Sequence, residues 1–146
     1  EDTPDGYTDT EPPGKHYNWD GSQWVLDEKA HRQSLIETLA DYRWQIETGG
    51  ITVNDMPVHT DRESQMKWIG AKITTSEDPD YTTAWKMRDG EHYQLDATQI
   101  NDVAAAVRDH VDAAFQVEKD VRAKVRDGTL TSVDQVKSRF DELMNA

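Results

Sequence analysis

Five histidines and a surplus of carboxylates are the groups in this chain that could do chemistry. His16, His31, His59, His92 and His110 could in principle hold a transition metal. No two of them fall at the i, i+4 spacing that sets a pair of zinc ligands on one helical face, so zinc is not expected. The acidic N-terminal stretch lacks the alternating Asp/Asn ladder followed by glycine that wraps calcium. Asp41, Glu47 and Asp61 could serve as general acid and base if the fold gathered them, but carboxylates in so acidic a chain ordinarily form solvated faces. No GxSxG elbow, phosphate loop or dinucleotide fingerprint occurs. The expectation is a protein with no catalytic residues, no metal and no cofactor.

The balance of charge bears on partners. In 146 residues, 29 acids outnumber 16 bases, giving a formal net charge of -13. That sign disfavours phosphate backbones and anionic membranes, so neither nucleic acid nor membrane is an expected partner. It suits a basic protein partner, or mimicry of nucleic acid. There is no cysteine, which excludes disulfides and thiolate metal sites. No apolar run approaches the length of a membrane span, and no signal peptide is read. The chain starts at Glu1 rather than Met, as a fragment or a processed product would.

Patterning predicts an α+β fold, predominantly helical, with about four helices, one of them long, and two or three short β-hairpins. Residues 1–15 read as a flexible acidic leader, since three prolines, two glycines and a single large apolar group cannot offset the entropy of ordering. Residues 16–27 read as an aromatic hairpin linker turning at Asp20-Gly21. A two-residue turn there sets Tyr17 opposite Trp24; a four-residue loop sets Trp19 opposite Trp24. Such aromatics either pack or form a platform for a sugar or a protein.

Residues 28–146 read as the helical domain. Asp27 caps a helix from Glu28 to about Thr48 whose stripe is Leu35, Leu39, Tyr42 and Ile46, and Gly49-Gly50 stops it. Ile51 to Val53 is a strand, Asn54-Asp55-Met56-Pro57 a turn, and Val58 to Thr60 the return strand. Thr60 and Glu63 have the spacing of a capping box at the start of a second helix that runs to about Thr75 and buries Met66, Ile69 and Ile73. Gly70 would let a neighbouring element approach. Tyr81 to Leu95 is another hairpin, turning at Arg88-Asp89-Gly90.

The longest element runs from Asp96 to Asp127, and a last helix that begins near Thr131 or Ser132 and runs to about Met144 has Val133, Val136, Phe140 and Leu143 on one face. In the long helix Ile100, Ala104, Val107, Val111, Ala114, Glu118, Val121 and Val125 alternate at spacings of four and three, a heptad seam. Since its neighbours are about half as long, one end is expected to protrude, with the seam open to a second copy or another partner. The candidate partner-binding residues are therefore Tyr17, Trp19 and Trp24 on the hairpin, and Val107, Val111, Val121 and Val125 on the seam.

The stretch RWQIETGGITVNDMPVHTDRESQMKWIGA resembles a domain that recurs in tail-fibre and tail-fibre-assembly proteins of tailed bacteriophages. Trp44, Glu47, Gly49, Gly50, Pro57, Thr60, Asp61, Arg62 and Glu63 carry the likeness, which extends from about Glu28 to Asp127 through Trp85-Lys86, Asp89-Gly90 and Leu95-Asp96. PPGKHYNWDGSQWVLD is similar to the segment that precedes this domain in such proteins. The resemblance implies a structural motif rather than catalysis, with Arg62 placed to pair with an acid such as Glu47. It implies a noncatalytic tail protein that binds other tail or fibre components, either as an assembly factor or as a fibre or baseplate part. The setting would be the virion tail, or the host cytoplasm during assembly. The alternatives are a glycan-binding module built on the aromatic hairpin, and an acidic inhibitor that mimics nucleic acid to block a host protein.

Overall fold

The computed structural model describes residues 10–146. Most of the acidic leader, residues 1–9, lies outside the described residues. Four helices and three separate two-stranded antiparallel hairpins follow in chain order, an α+β fold in which helix predominates.

The first hairpin joins β1 (Tyr17–Trp19) to β2 (Trp24–Leu26) across a four-residue loop, so Trp19 pairs with Trp24 and Tyr17 with Leu26. The Asp20 carboxylate holds that loop by accepting from the backbone N–H of Ser22 at 2.8 Å and of Gln23 at 2.7 Å. Asp27 caps α1 (Glu28–Thr48) by accepting from Ala30 N–H. At the far end Gly50, with φ 93°, takes the left-handed position after the last turn. A Cβ there would also displace the Arg88 side chain, but it is the backbone conformation that calls for glycine.

The second hairpin corrects the expected turn. β3 (Ile51–Val53) and β4 (Met56–Val58) are joined by Asn54 and Asp55 alone, both with positive φ (49° and 64°), the tight turn whose twist matches that of the strands. Pro57 therefore lies in a strand opposite Thr52, not in the turn. Its carbonyl accepts from Arg88 N–H at 2.8 Å, tying this hairpin to the next. That third hairpin pairs β5 (Thr83–Lys86) with β6 (His92–Leu95).

The helix between these hairpins, α2 (Arg62–Glu77), overturns two expectations. Its cap is Asp61, which accepts from Ser64 N–H; Thr60 and Glu63 form no capping box. Its buried face is Trp68, Ala71 and Thr75, while Met66, Ile69 and Ile73 are 73%, 61% and 57% exposed. Both triplets have helical spacing and, at roughly 100° per residue, they lie on opposite faces. The indole decides which face goes in, because Trp68 stacks on Trp85 with ring centroids 3.8 Å apart. Gly70 sits on the outward side, where an added Cβ would meet no group of the described chain within 4 Å.

The long helix α3 (Ala97–Arg126) is the common wall of two apolar cores. Its N-terminal half supplies Ile100, Val103, Ala104 and Val107 to a core shared with Trp68, Met56, Val58, Met87 and Leu95. Its C-terminal half supplies Ala114, Val117, Val121 and Val125 to a core shared with Leu35, Leu39, Leu130 and two residues of the last helix, Val136 and Phe140. That helix, α4 (Val133–Met144), is capped by Ser132, and it buries Val136 and Phe140 but leaves Val133 and Leu143 largely exposed.

The seam therefore does not protrude. Val107 is 3% exposed, and Val121 and Val125 are fully buried within this chain. The shorter helices do not compete for the same length of α3, since α2 covers one half while α1 and α4 cover the other. The expectation that Val107, Val121 and Val125 meet a partner is corrected accordingly. Val121→Asp places a charge in a closed core and is expected to lower unfolding stability by more than about 3 kcal/mol. Urea unfolding followed by circular dichroism would measure the loss.

Candidate docking site

Several of the residues that carry the resemblance, Gly50, Thr60 and Arg62 among them, meet at or beside one buried carboxylate. Glu47, at the end of α1, is fully buried. Its Oε1 accepts from Arg43 Nη1 at 2.6 Å and from Arg62 Nη2 at 3.1 Å. Its Oε2 accepts from Arg62 Nε at 2.6 Å and from Gln65 Nε2 at 2.9 Å. Arg43 Nε also donates to Glu118 of α3 at 3.1 Å, so two guanidinium groups balance two carboxylates. The Arg62–Glu47 pair expected from the resemblance is present. Burial pushes the Glu47 carboxyl up, but the hydrogen bonds from Arg62, Gln65 and Arg43 outweigh it and hold the group below its ordinary value.

The backbone around this cluster is satisfied by the same motif. The Thr60 hydroxyl, fully buried, donates to the Glu47 carbonyl at 2.7 Å and accepts from Gly50 N–H at 2.8 Å. Gln65 Nε2 also donates to the Thr60 carbonyl. His110 of α3 donates from Nε2 to the Ile46 carbonyl at 2.9 Å, which fixes a proton on that nitrogen. Glu47 and Asp61 are thus structural, one an ion-pair centre and the other a helix cap, and Asp41 joins neither arrangement. Glu63 faces solvent and pairs with Lys67 one turn on. Among the described residues, no group of three or more His, Asp or Glu side chains is placed to hold a metal.

Above the cluster the surface turns aromatic. Trp44 and Phe115 are 48% and 42% exposed. The Arg62 guanidinium lies 5.1 Å from the Trp44 ring centroid, and that of Arg43 lies 4.4 Å from that of Phe115. The outward face of α2 exposes Met66, Ile69 and Ile73, and the two isoleucines border a groove of about 370 Å³ between α2 and α3. Trp68, Ile69, Ile73, Ala104, Val107 and Val111 give the groove its apolar lining. Of the four seam valines, Val111 is the half-buried one at an open surface.

The hairpin aromatics are arranged differently from an open platform. Trp19 and Trp24 meet edge to face at 5.5 Å, both half-buried, each with its indole N–H enclosed. Tyr17 instead borders a separate cleft of about 730 Å³ with His16, His31 and Leu130. The hairpin therefore does not present its three rings as one flat surface.

Sequence reading missed the outward face of α2 by taking it for the inward one. The available signal was Trp68, which shares its face with Ala71 and Thr75 and offers more area to bury than any residue of the competing stripe.

Residues 30–138 match the family model described as Domain of unknown function (DUF4376), and the chain belongs to that family. The match takes in α1 from Ala30 through the first half of α4, hence the whole Glu47 cluster and every buried residue of the two cores except Phe140. Neither the curated proteins nor the solved structures contain a match to the chain.

Glu47→Ala leaves Arg43 with Glu118 and frees Arg62 toward solvent, so the expected cost is near the lower end for a broken buried pair, about 3 kcal/mol. Because the folded carboxyl is held low, its contribution is full above the ordinary value of 4.5 and is lost as pH falls through the folded value. Glu47→Gln is expected to flatten that part of the stability profile. Thermal unfolding of both forms between pH 3 and pH 6 would measure it.

Proposed function

We propose that this chain is a noncatalytic protein of a bacteriophage tail that binds other tail components, as a fibre-assembly factor or as a structural part of the fibre or baseplate. The phage setting rests on the resemblance carried by Trp44, Glu47, Gly49, Gly50, Pro57, Thr60 and Arg62. The binding role rests on one observation: the exposed apolar face of α2 beside an apolar groove, in a molecule whose conspicuous charged groups are occupied in holding the fold. Monomers seldom leave such a patch uncovered unless something docks there. The site of action would be the virion tail, or the host cytoplasm while tails are built.

The competing readings have less to draw on. A glycan platform needs an open aromatic face, and Trp19 and Trp24 present edges to each other. A nucleic-acid mimic needs an unbroken acidic surface, and Lys67, Lys72 and Arg108 interrupt the exposed side of α2 and α3.

The paired change Ile69→Ser, Ile73→Ser tests the role. Both residues face solvent, so stability is expected to move by no more than about 1 kcal/mol, while binding to purified tails or fibre protein of the parent phage falls at least about tenfold. Sedimentation with tails and calorimetric melting would read the two effects. No binding by the wild type would overturn the role, and unchanged binding by the variant would overturn its placement on this face. Mass spectrometry of purified particles separates its two versions: a structural part is present at stoichiometric level and an assembly factor is absent.

A further inference from the structure

We infer that the groove between α2 and α3 receives an amphipathic helix of a partner protein, apolar on its inner face and acidic along both flanks. This rests on the binding role proposed above and names the chemistry of the partner.

The groove's length comes first. Its α2 wall runs from Gln65 to Ser76, which at about 1.5 Å per residue is roughly 16 Å, or three helical turns. Three turns accommodate apolar anchors at i, i+4 and i+7, the spacing by which a helix seats in a groove. The floor is already formed: Trp68 is 1% exposed and is held by its stack on Trp85, so docking need not order it.

The charge of the groove identifies the flanks. The whole chain carries -13, yet no carboxylate lines this groove. Its charged groups are Lys72 on the α2 bank and Arg108 on the α3 bank, one cation on each side. Lys72 makes no ion pair among the described residues, and Arg108 pairs only with its exposed neighbour Asp109. An exposed pair of that kind is weak and is readily exchanged for another carboxylate. A second copy of α2 fits less well, since it would bring its own Lys72 toward Lys72 and Arg108, while its Lys67 is already paired with Glu63. An acidic-flanked helix satisfies both banks at once.

Selection of a displayed library of 14-residue peptides on the full chain would test this. Enriched sequences are expected to carry apolar residues at i, i+4 and i+7 with Asp or Glu on both flanks. Exchanging the flanking Asp and Glu of the best synthetic peptide for Lys should weaken its binding at least about tenfold, because both groove cations then face like charge. The charge-reversed variant Lys72→Glu, Arg108→Glu should instead enrich Lys and Arg flanks, and Ile69→Ser, Ile73→Ser should enrich neither set. The inference is overturned by no enrichment on the wild type, by enrichment indifferent to flank charge, or by the same peptides on the serine variant. Light scattering that shows a wild-type dimer lost on the serine change would also overturn it, assigning the face to a second copy. Tail binding that ignores all four residues removes this inference and leaves the tail setting. Selection as expected, without tail binding, removes the tail setting alone.

Discussion

A carboxylate cannot be taken out of water unless its charge is met, and Glu47 is fully out of water. Much of the central architecture follows from that one requirement. Arg43 must come from the preceding turn of α1, Arg62 and Gln65 from the start of α2, and Glu118 from α3 to balance the second guanidinium. Three helices are thereby brought to one point. The hairpin between α1 and α2 is short because it has to deliver Arg62 back to Glu47, and Thr60 secures its return by bonding both the Glu47 carbonyl and Gly50 N–H. A buried ion pair adds little net stability, but it is intolerant of misplacement, so it fixes how the helices meet.

The cores on either side are ordinary in chemistry and unusual only in arrangement. Each is too small to need a long helix, but both use α3. The residues that look like a continuous heptad seam are two shorter stripes laid end to end, with the ionic cluster and His110 near the junction. Glu118 is not a flaw in a coiled coil but the member of the cluster that α3 supplies.

Element types were readable because local chemistry decided them. Asp27, Asp96 and Ser132 cap helices from the sequence positions where caps belong, and Gly50 and Gly90 sit where backbone dihedrals demand them. What local chemistry does not decide was misread. Thr60 has the right spacing for a capping box, yet its hydroxyl is claimed by α1 and Asp61 takes the cap. Pro57 suggests a turn, yet Asn54 and Asp55 complete one before it. On α2 two stripes were equally periodic; the size of Trp68 was the local hint, and its stack on Trp85 turns that face inward. The Arg62–Glu47 pair was legible through the family likeness, whereas Arg43, Gln65 and Glu118 come together from separations that spacing alone does not reveal. The exposed apolar face of α2 was missed because the helix was turned around.

The sharing of α3 gives the molecule an axle. Each core grips one end of a rod about 45 Å long, and between them the helix is held to its neighbours by Arg43, His110 and the groups around them. A load applied to the α2 end therefore reaches the α4 end through continuous helix rather than through a flexible joint. The side chains at the midpoint set how stiffly the two ends turn together. Protonation of Glu47 would loosen that collar while leaving the helix and both apolar grips in place.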